Sequence, residues 1–220
     1  MQTSQSTFKY HELDDHAKET ARNHYIEHWI MDDWYDYVFE DAKAMGVNHG
    51  FEIEDIRFTG FWSQGDGASW SGTVFLPDWL KHLPESIGRD CWIWLMEDGW
   101  IHDRLNIYSK PSHYCHSGNM SVGNVEVYSE DGDGALLKTD CILKGAPVDA
   151  VWALIMNDKA CAIHSVEELE EAVIQDARTF ADNLYKTLES AYEAECSDDN
   201  VGETYDANGV LFNEEGVILK

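Results

Sequence analysis

Between residues 46 and 51 the spacing of apolar side chains switches from near four to two, and after residue 165 it returns to three and four. Period four places side chains on one stripe of a helix, whereas period two places them on one face of a strand, so this chain must pack helices against a sheet. On the N-terminal side, residues 10–30 read as a helix with Asp14 or Asp15 as cap and Ala17, Ala21, Tyr25 and Trp29 recurring every fourth position. A second helix is expected after Asp32, with Trp34, Val38, Ala42 and Met45 on one face and Gly46 as a left-handed stop.

The period-two part begins with Phe51, Ile53, Ile56 and Phe58. Gly60 and the polar run Ser63-Gln64-Gly65-Asp66-Gly67 follow, and then Trp70, Val74 and Leu76. That is a hairpin signal with a loop of about five residues. Pro77 and Asp78 open a short helix carrying Trp79, Leu80 and Leu83, closed by Pro84, while Cys91–Met96 is an apolar run that periodicity leaves unassigned. Ile101, Leu105 and Ile107 read as a strand. Val125, Val127 and Tyr128 read as another before the Asp131-Gly132-Asp133-Gly134 turn, and Leu136–Leu143 as a weaker one. A helix is expected through Val148–Met156.

The clearest single element runs from about 166 to 194. Ser165-Val166-Glu167-Glu168 is a capping box, and Leu169, Val173, Ala177, Phe180, Leu184, Leu188 and Ala191 form one apolar stripe. Ser197–Glu203 reads as an acidic mobile segment, and Asn208-Gly209 and Glu215-Gly216 as turns around Val210-Leu211-Phe212. The expectation is one acidic α+β domain over 1–220: an antiparallel sheet over 51–143, helices over 10–46 on its N-terminal side, and a long helix with a tail over 147–220 packed on it.

Charge sets the class of partner. Forty-two acidic against 15 basic residues give −27, and the bias is steepest over 165–220, with 15 acids and 3 bases. Such a surface repels phosphate backbones and anionic lipid, so neither direct nucleic-acid binding nor membrane binding is expected, whereas basic proteins are attracted. Net charge of this size also serves solubility. Aromatic residues at 12 % argue against a disordered acidic polymer. Cys91, Cys115, Cys141, Cys161 and Cys196 are scattered singly, the pattern of reduced thiols in a cytoplasmic protein. No secretory leader and no membrane span is read in the chain.

The densest cluster of ligand-capable side chains is Gly60–Trp70. Trp62 and Trp70 offer stacking faces, and Ser63, Gln64 and Asp66 offer hydrogen-bonding groups on a flexible loop; the same aromatics also serve as core. The glycine spacing matches neither a dinucleotide nor a phosphate loop. His113-Tyr114-Cys115-His116 and the His24/His28 pair carry metal-ligand atoms without a second matching pair, so no metal is assigned. Asp131–Gly134 lacks the later ligands of a calcium loop. No nucleophile elbow or zinc-protease motif is present, no catalytic residue is assigned, and no cofactor is expected.

Three stretches together resemble a family of tailed-bacteriophage accessory proteins with no established activity, some of which carry the label antitoxin of a toxin–antitoxin system. They are Tyr10-His11-Glu12-Leu13-Asp14-Asp15-His16-Ala17-Lys18, the motif Gly60-Phe61-Trp62-Ser63-Gln64-Gly65-Asp66-Gly67-Ala68 with Phe58 and Thr59 before it, and Ala207–Gly216. Tyr114–Met120 is a fourth match. The resemblance implies a phage origin and an accessory role, and it supplies no catalytic residues.

Two readings of function follow, with an antitoxin-like partner protein as a third. In the first, the acidic chain occupies the basic groove of a host nucleic-acid-processing or defence protein in the host cytoplasm, with Glu167, Glu170, Glu171, Asp182, Glu189 and Glu193 off the apolar stripe of the long helix. In the second, a small ligand such as a nucleotide signal binds at Trp62, Ser63, Gln64, Asp66, Trp70, Tyr114 and His116.

Overall fold

The computed structural model describes residues 6–30, 33–97, 99–124, 153 and 155–219. The fold is α+β, with N-terminal helices, a four-stranded antiparallel sheet and a long C-terminal helix. Its contacts cluster into two compact units, Phe39–Tyr185 and Met1–Val38 with Lys186–Lys220.

In the first unit β1 (Phe51–Thr59), β2 (Gly67–Phe75), β3 (Arg104–Ser109) and β4 (Met120–Val122) pair in that order, each antiparallel to the next. One face buries Phe51, Ile53, Ile56, Ala68, Trp70, Val74, Leu105, Ile107 and Met120. The three-residue step from Ile53 to Ile56 is the trace of a bulge: the register shifts between Ile53 and Asp55, so both isoleucines stay on the inner face. Gly72 pairs with Ile53 beside the bulge, and a Cβ there would collide with the Glu52 carbonyl oxygen, so the strand needs glycine at that point.

The long helix, α5 (Val166–Glu195), covers that face. Trp70 donates its indole N–H to the Ala177 carbonyl at 3.1 Å, and the Phe180 ring lies 5.7 Å from Phe51 and 6.3 Å from Trp70. Full burial of a side chain such as Phe51 contributes roughly 1.5–3 kcal/mol, while Phe180 is half-buried. The capping box forms with one variation: Ser165 Oγ accepts from the Glu168 amide, while Glu168 reaches past Ser165 to the His164 amide.

The remaining helices correct several expectations. The helix starting before the sheet, α2 (Asp36–Asn48), begins four residues after Asp32, which lies outside the described residues. Gly46 does not stop it. It sits inside the helix because a Cβ would lie 2.8 Å from Ile53 Cδ1, and the left-handed residue is Gly50, φ +77°. Gly46 thus takes the inner position expected of Met45, which is exposed. Leu76–Leu80 forms the short α3 with Pro77 in its first turn. The unassigned Cys91–Met96 run is helical, within α4 (Ile87–Glu97); Ser86 Oγ accepts the Arg89 amide, and Trp92 donates to the Ile163 carbonyl at 3.1 Å. The strand around Ile101 starts only at Arg104, and its outer partner is Met120–Val122. The expected strands at Val125–Tyr128 and Leu136–Leu143, the Asp131–Gly134 turn and most of the helix through Val148–Met156 lie outside the described residues.

In the second unit α1 (Asp15–His28) starts later than expected, since Tyr10–Glu12 is a separate single turn and Leu13 is extended. Asp14 caps it, accepting from the Ala17 amide at 2.8 Å. Ser197–Glu203, expected to be mobile, is instead part of α6 (Asp198–Ala207): Ser197 Oγ accepts from the Asn200 amide, and Val201 and Tyr205 are buried. Leu211–Phe212 and Ile218–Leu219 pair as β5 and β6, and Phe8 bridges to Phe212. The core of this unit is Tyr10, Leu13, Ala17, Ala21, Tyr25, Val201, Tyr205 and Phe212.

Candidate functional site

The connection between β1 and β2, Gly60–Asp66, is folded around one carboxylate. Asp66 Oδ2 accepts from the backbone amides of Trp62 (3.0 Å) and Ser63 (2.6 Å), which closes the turn. Tyr185 of α5 donates its hydroxyl to the Gly60 carbonyl at 2.9 Å. Phe61 lies between Phe58 and Tyr185, at 6.0 and 5.6 Å between ring centres. With Phe61 turned inward, its neighbour Trp62 turns outward and is 78 % exposed.

The segment before β4 packs on this loop. The Cys115 amide donates to Thr59 Oγ1 at 3.4 Å. Gly65 has φ +99°, and a Cβ on it would lie 3.0 Å from the Tyr114 ring; one on Gly67 would lie 3.0 Å from the Cys115 carbonyl oxygen. The segment is itself tied: Asn119 donates to the Tyr114 carbonyl at 2.7 Å, and His116 Nδ1 accepts from the Gly118 amide at 2.8 Å. That acceptor role puts the proton of the neutral ring on Nε2. Arg178 of α5 donates to the Met120 carbonyl at 2.9 Å and fixes the start of β4.

Six of the seven ligand candidates therefore come from two segments in contact: Trp62, Ser63, Gln64 and Asp66 on one, Tyr114 and His116 on the other. Trp62, Ser63, Gln64, Tyr114 and His116 are exposed, whereas Asp66 is half-buried and holds the turn. Trp70 corrects the expectation. It is fully buried with its N–H bonded to Ala177, so it has no face to offer a ligand. Tyr185 and Thr59, which brace the loop, carry no signal in the sequence beyond lying next to the motif or off the apolar stripe.

Burial pushes the Cys115 thiol up from its ordinary value, with Arg57 opposing and Asp55 adding to it. A thiol held protonated is a poor nucleophile. The Cys91 and Cys196 thiols are raised by burial as well. Cys141 and Asp131–Gly134 lie outside the described residues. His24 and His28 meet ring to ring at 4.7 Å, and among the described residues no group of three or more His, Cys, Asp or Glu is placed to hold a metal ion. Among the described residues no helix is long and apolar enough to cross a membrane.

The acidic candidates lie along α5. Glu167, Glu171, Asp182 and Glu193 are exposed, and Glu170 and Glu189 are half-buried. Among the described residues no ion pair involves Glu167, Glu171, Asp182, Glu189 or Glu193. Exposed carboxylates that form no ion pair add to the negative potential that attracts a cationic surface, although Asp182 and Glu189 have Lys186 one turn away on the same helix.

The fold and this loop define a class first: an α+β domain whose long C-terminal helix backs an antiparallel sheet and braces a tryptophan-bearing hairpin loop. Residues 34–198 match a domain of unknown function, DUF8835, and the chain belongs to that family. The match contains the hairpin loop, the Tyr114–His116 segment and all of α5, while Tyr10–Lys18 and Ala207–Gly216 fall outside it. No curated protein and no solved structure matches the chain.

Proposed function

We propose that this is a phage-encoded accessory protein that binds and inhibits a host nucleic-acid-processing or defence protein in the cytoplasm by occupying its basic groove. The observation that carries the reading is the charge, −27 over 220 residues, together with the carboxylates of α5 that lie outside any ion pair among the described residues. A cationic groove evolved to hold phosphates carries bound anions when empty. An acidic protein gains the same counterion release that drives DNA binding. The test is capture of partners by the tagged protein from infected cells, followed by binding of the purified partner across a salt series with DNA as competitor. Affinity should fall steeply with salt, and DNA should displace the protein. Equal affinity at low and high salt, or a partner interface lined by apolar groups, removes the reading.

A second reading is favoured by the contact between the two loop segments, which sets the segment of Trp62, Ser63 and Gln64 against that of Tyr114 and His116, with the Trp62 indole exposed. In it the loop takes a planar small molecule such as a nucleotide signal. Titrating nucleotides against tryptophan fluorescence tests it, since stacking on Trp62 should quench the emission and Trp62→Phe should abolish the quench. No change with any nucleotide at millimolar concentration sinks it.

A further inference from the structure

Trp62 is the most exposed of the large apolar residues among those described, at 78 %, and it is held outward by a loop with little freedom left. Its amide is fixed by Asp66, the residue before it is wedged between Phe58 and Tyr185, Gly60 is held by Tyr185, and Gly65 rests on the Tyr114 ring. An indole pre-organised in this way loses little conformational entropy on binding, which is the property of an interface anchor. The segments that hold it are polar but weakly charged. The loop and the segment under it, residues 60–67 and 110–119, hold one carboxylate, Asp66, and one amine, Lys110. Neither segment supplies the cluster of carboxylates that would select a basic partner, so what Trp62 itself offers is its ring face, which fits an apolar or aromatic slot.

Grooves that hold single-stranded nucleic acid combine these two features: a cationic track for the backbone and aromatic side chains on which bases stack. We propose that Trp62 stands in for an unstacked base, entering the stacking slot of a single-strand-binding groove while the carboxylates of the chain occupy its phosphate positions. This rests on the reading of the chain as an occupant of basic grooves and adds to it the class of groove and the residue that anchors it.

The experiment uses the full chain and three defined peptides of equal length: octalysine, a peptide alternating lysine with phenylalanine, and one alternating lysine with leucine. Binding is read by calorimetry at low and high salt. Affinity for the lysine–phenylalanine peptide should exceed that for the lysine–leucine peptide, which carries the same charge, by about tenfold, the size of one base–aromatic stack, while octalysine reports the charge contribution alone. Excitation at about 295 nm, where phenylalanine does not absorb, should show the indole emission shift as the Trp62 ring is covered. Trp62→Ala should erase the advantage of the phenylalanine peptide, and Trp62→Phe should restore part of it. Circular dichroism of both variants should match that of the wild type. If the phenylalanine peptide binds no better than the leucine peptide, or keeps its advantage in Trp62→Ala, the base stand-in is overturned even though salt-dependent binding of octalysine would leave the charge reading standing. If no peptide binds even at low salt, both fall.

Discussion

Asp198 is the residue on which the second unit's polar contacts converge. It accepts from the Tyr10 hydroxyl at 2.7 Å and from both nitrogens offered by Arg22, at 3.0 and 2.5 Å. The Tyr10 hydrogen bond first, and then the Arg22 charge, hold its carboxyl below the usual carboxylate range, against the opposing effect of burial. A depressed carboxylate contributes stability above its unfolded pKa, about 3.9, and loses it as pH falls through the lower folded value. Asp198→Asn should therefore make the acid unfolding midpoint less sensitive to pH below about 4, read by circular dichroism; an unchanged acid limb would show that the cluster is too exposed to matter. Tyr10 works on the other limb. Burial, and secondarily Asp198, push its hydroxyl up to about 12, so its contribution is whole below pH 10 and disappears as pH climbs to 12. Tyr10→Phe should remove that alkaline loss. The two tryptophans of the Gly60–Trp70 cluster should separate just as clearly. Trp70→Ala opens a cavity in the core and should cost about 3–5 kcal/mol in urea unfolding, whereas Trp62→Ala should change stability by less than about 0.5 kcal/mol.

At the scale of elements, α6 shows where a local signal outweighs composition. Ser197–Glu203 is so acidic that it reads as a solvated tail, yet Ser197 caps the helix, and Asp198 and Asp199 sit where the helix dipole favours negative charge. Val201 and Tyr205, one turn apart, supply the buried face. Ser197→Ala should cost about 1 kcal/mol and raise amide exchange in Asp198–Ala207, while Ser197→Thr keeps the cap; equal exchange in all three proteins would deny the cap its role. The other elements divide along the same line. The capping box and stripe of α5, and the β1–β2 hairpin, are legible in the sequence because each carries its own period and punctuation. The bulge is legible afterwards as the step from Ile53 to Ile56. The α4 run is too short for periodicity to separate a buried helix from a buried strand, and its cap, Ser86, lies outside the run. Of the candidate site, the loop is visible in its glycines and aromatics. Which indole faces water is not, because it depends on Tyr185 and Ala177 of α5, more than a hundred residues away.

For the whole molecule, the question is whether −27 is a solubility device or a recognition surface, and the two differ in what they allow to move. Either way the folded chain carries self-repulsion that salt screens over a Debye length of about 10 Å at 0.1 M. The thermal midpoint should therefore rise as sodium chloride increases from low to physiological concentration, and rise alike with potassium chloride. A flat midpoint would mean that the charges are spread too evenly to strain the fold. Solubility follows net charge far more than the position of any one carboxylate, so carboxylates can be exchanged between exposed positions with little consequence. Recognition depends on where they stand. Reversing Glu167, Glu171 and Asp182 to Lys, with neutral exposed residues elsewhere changed to Asp until the net charge is restored, holds the first property constant and alters the second. These three are exposed and outside any ion pair among the described residues, but Glu167 lies in the first turn of α5 and Asp182 one turn from Arg178 and Lys186, so the reversals should cost up to about 2 kcal/mol, small enough for binding to be compared on folded protein. On the recognition account, binding to a basic partner, measured by calorimetry at low salt, weakens at least tenfold while solubility is unchanged. Undiminished binding in the rearranged protein would assign the acidity to solubility and leave α5 as a solvated helix face.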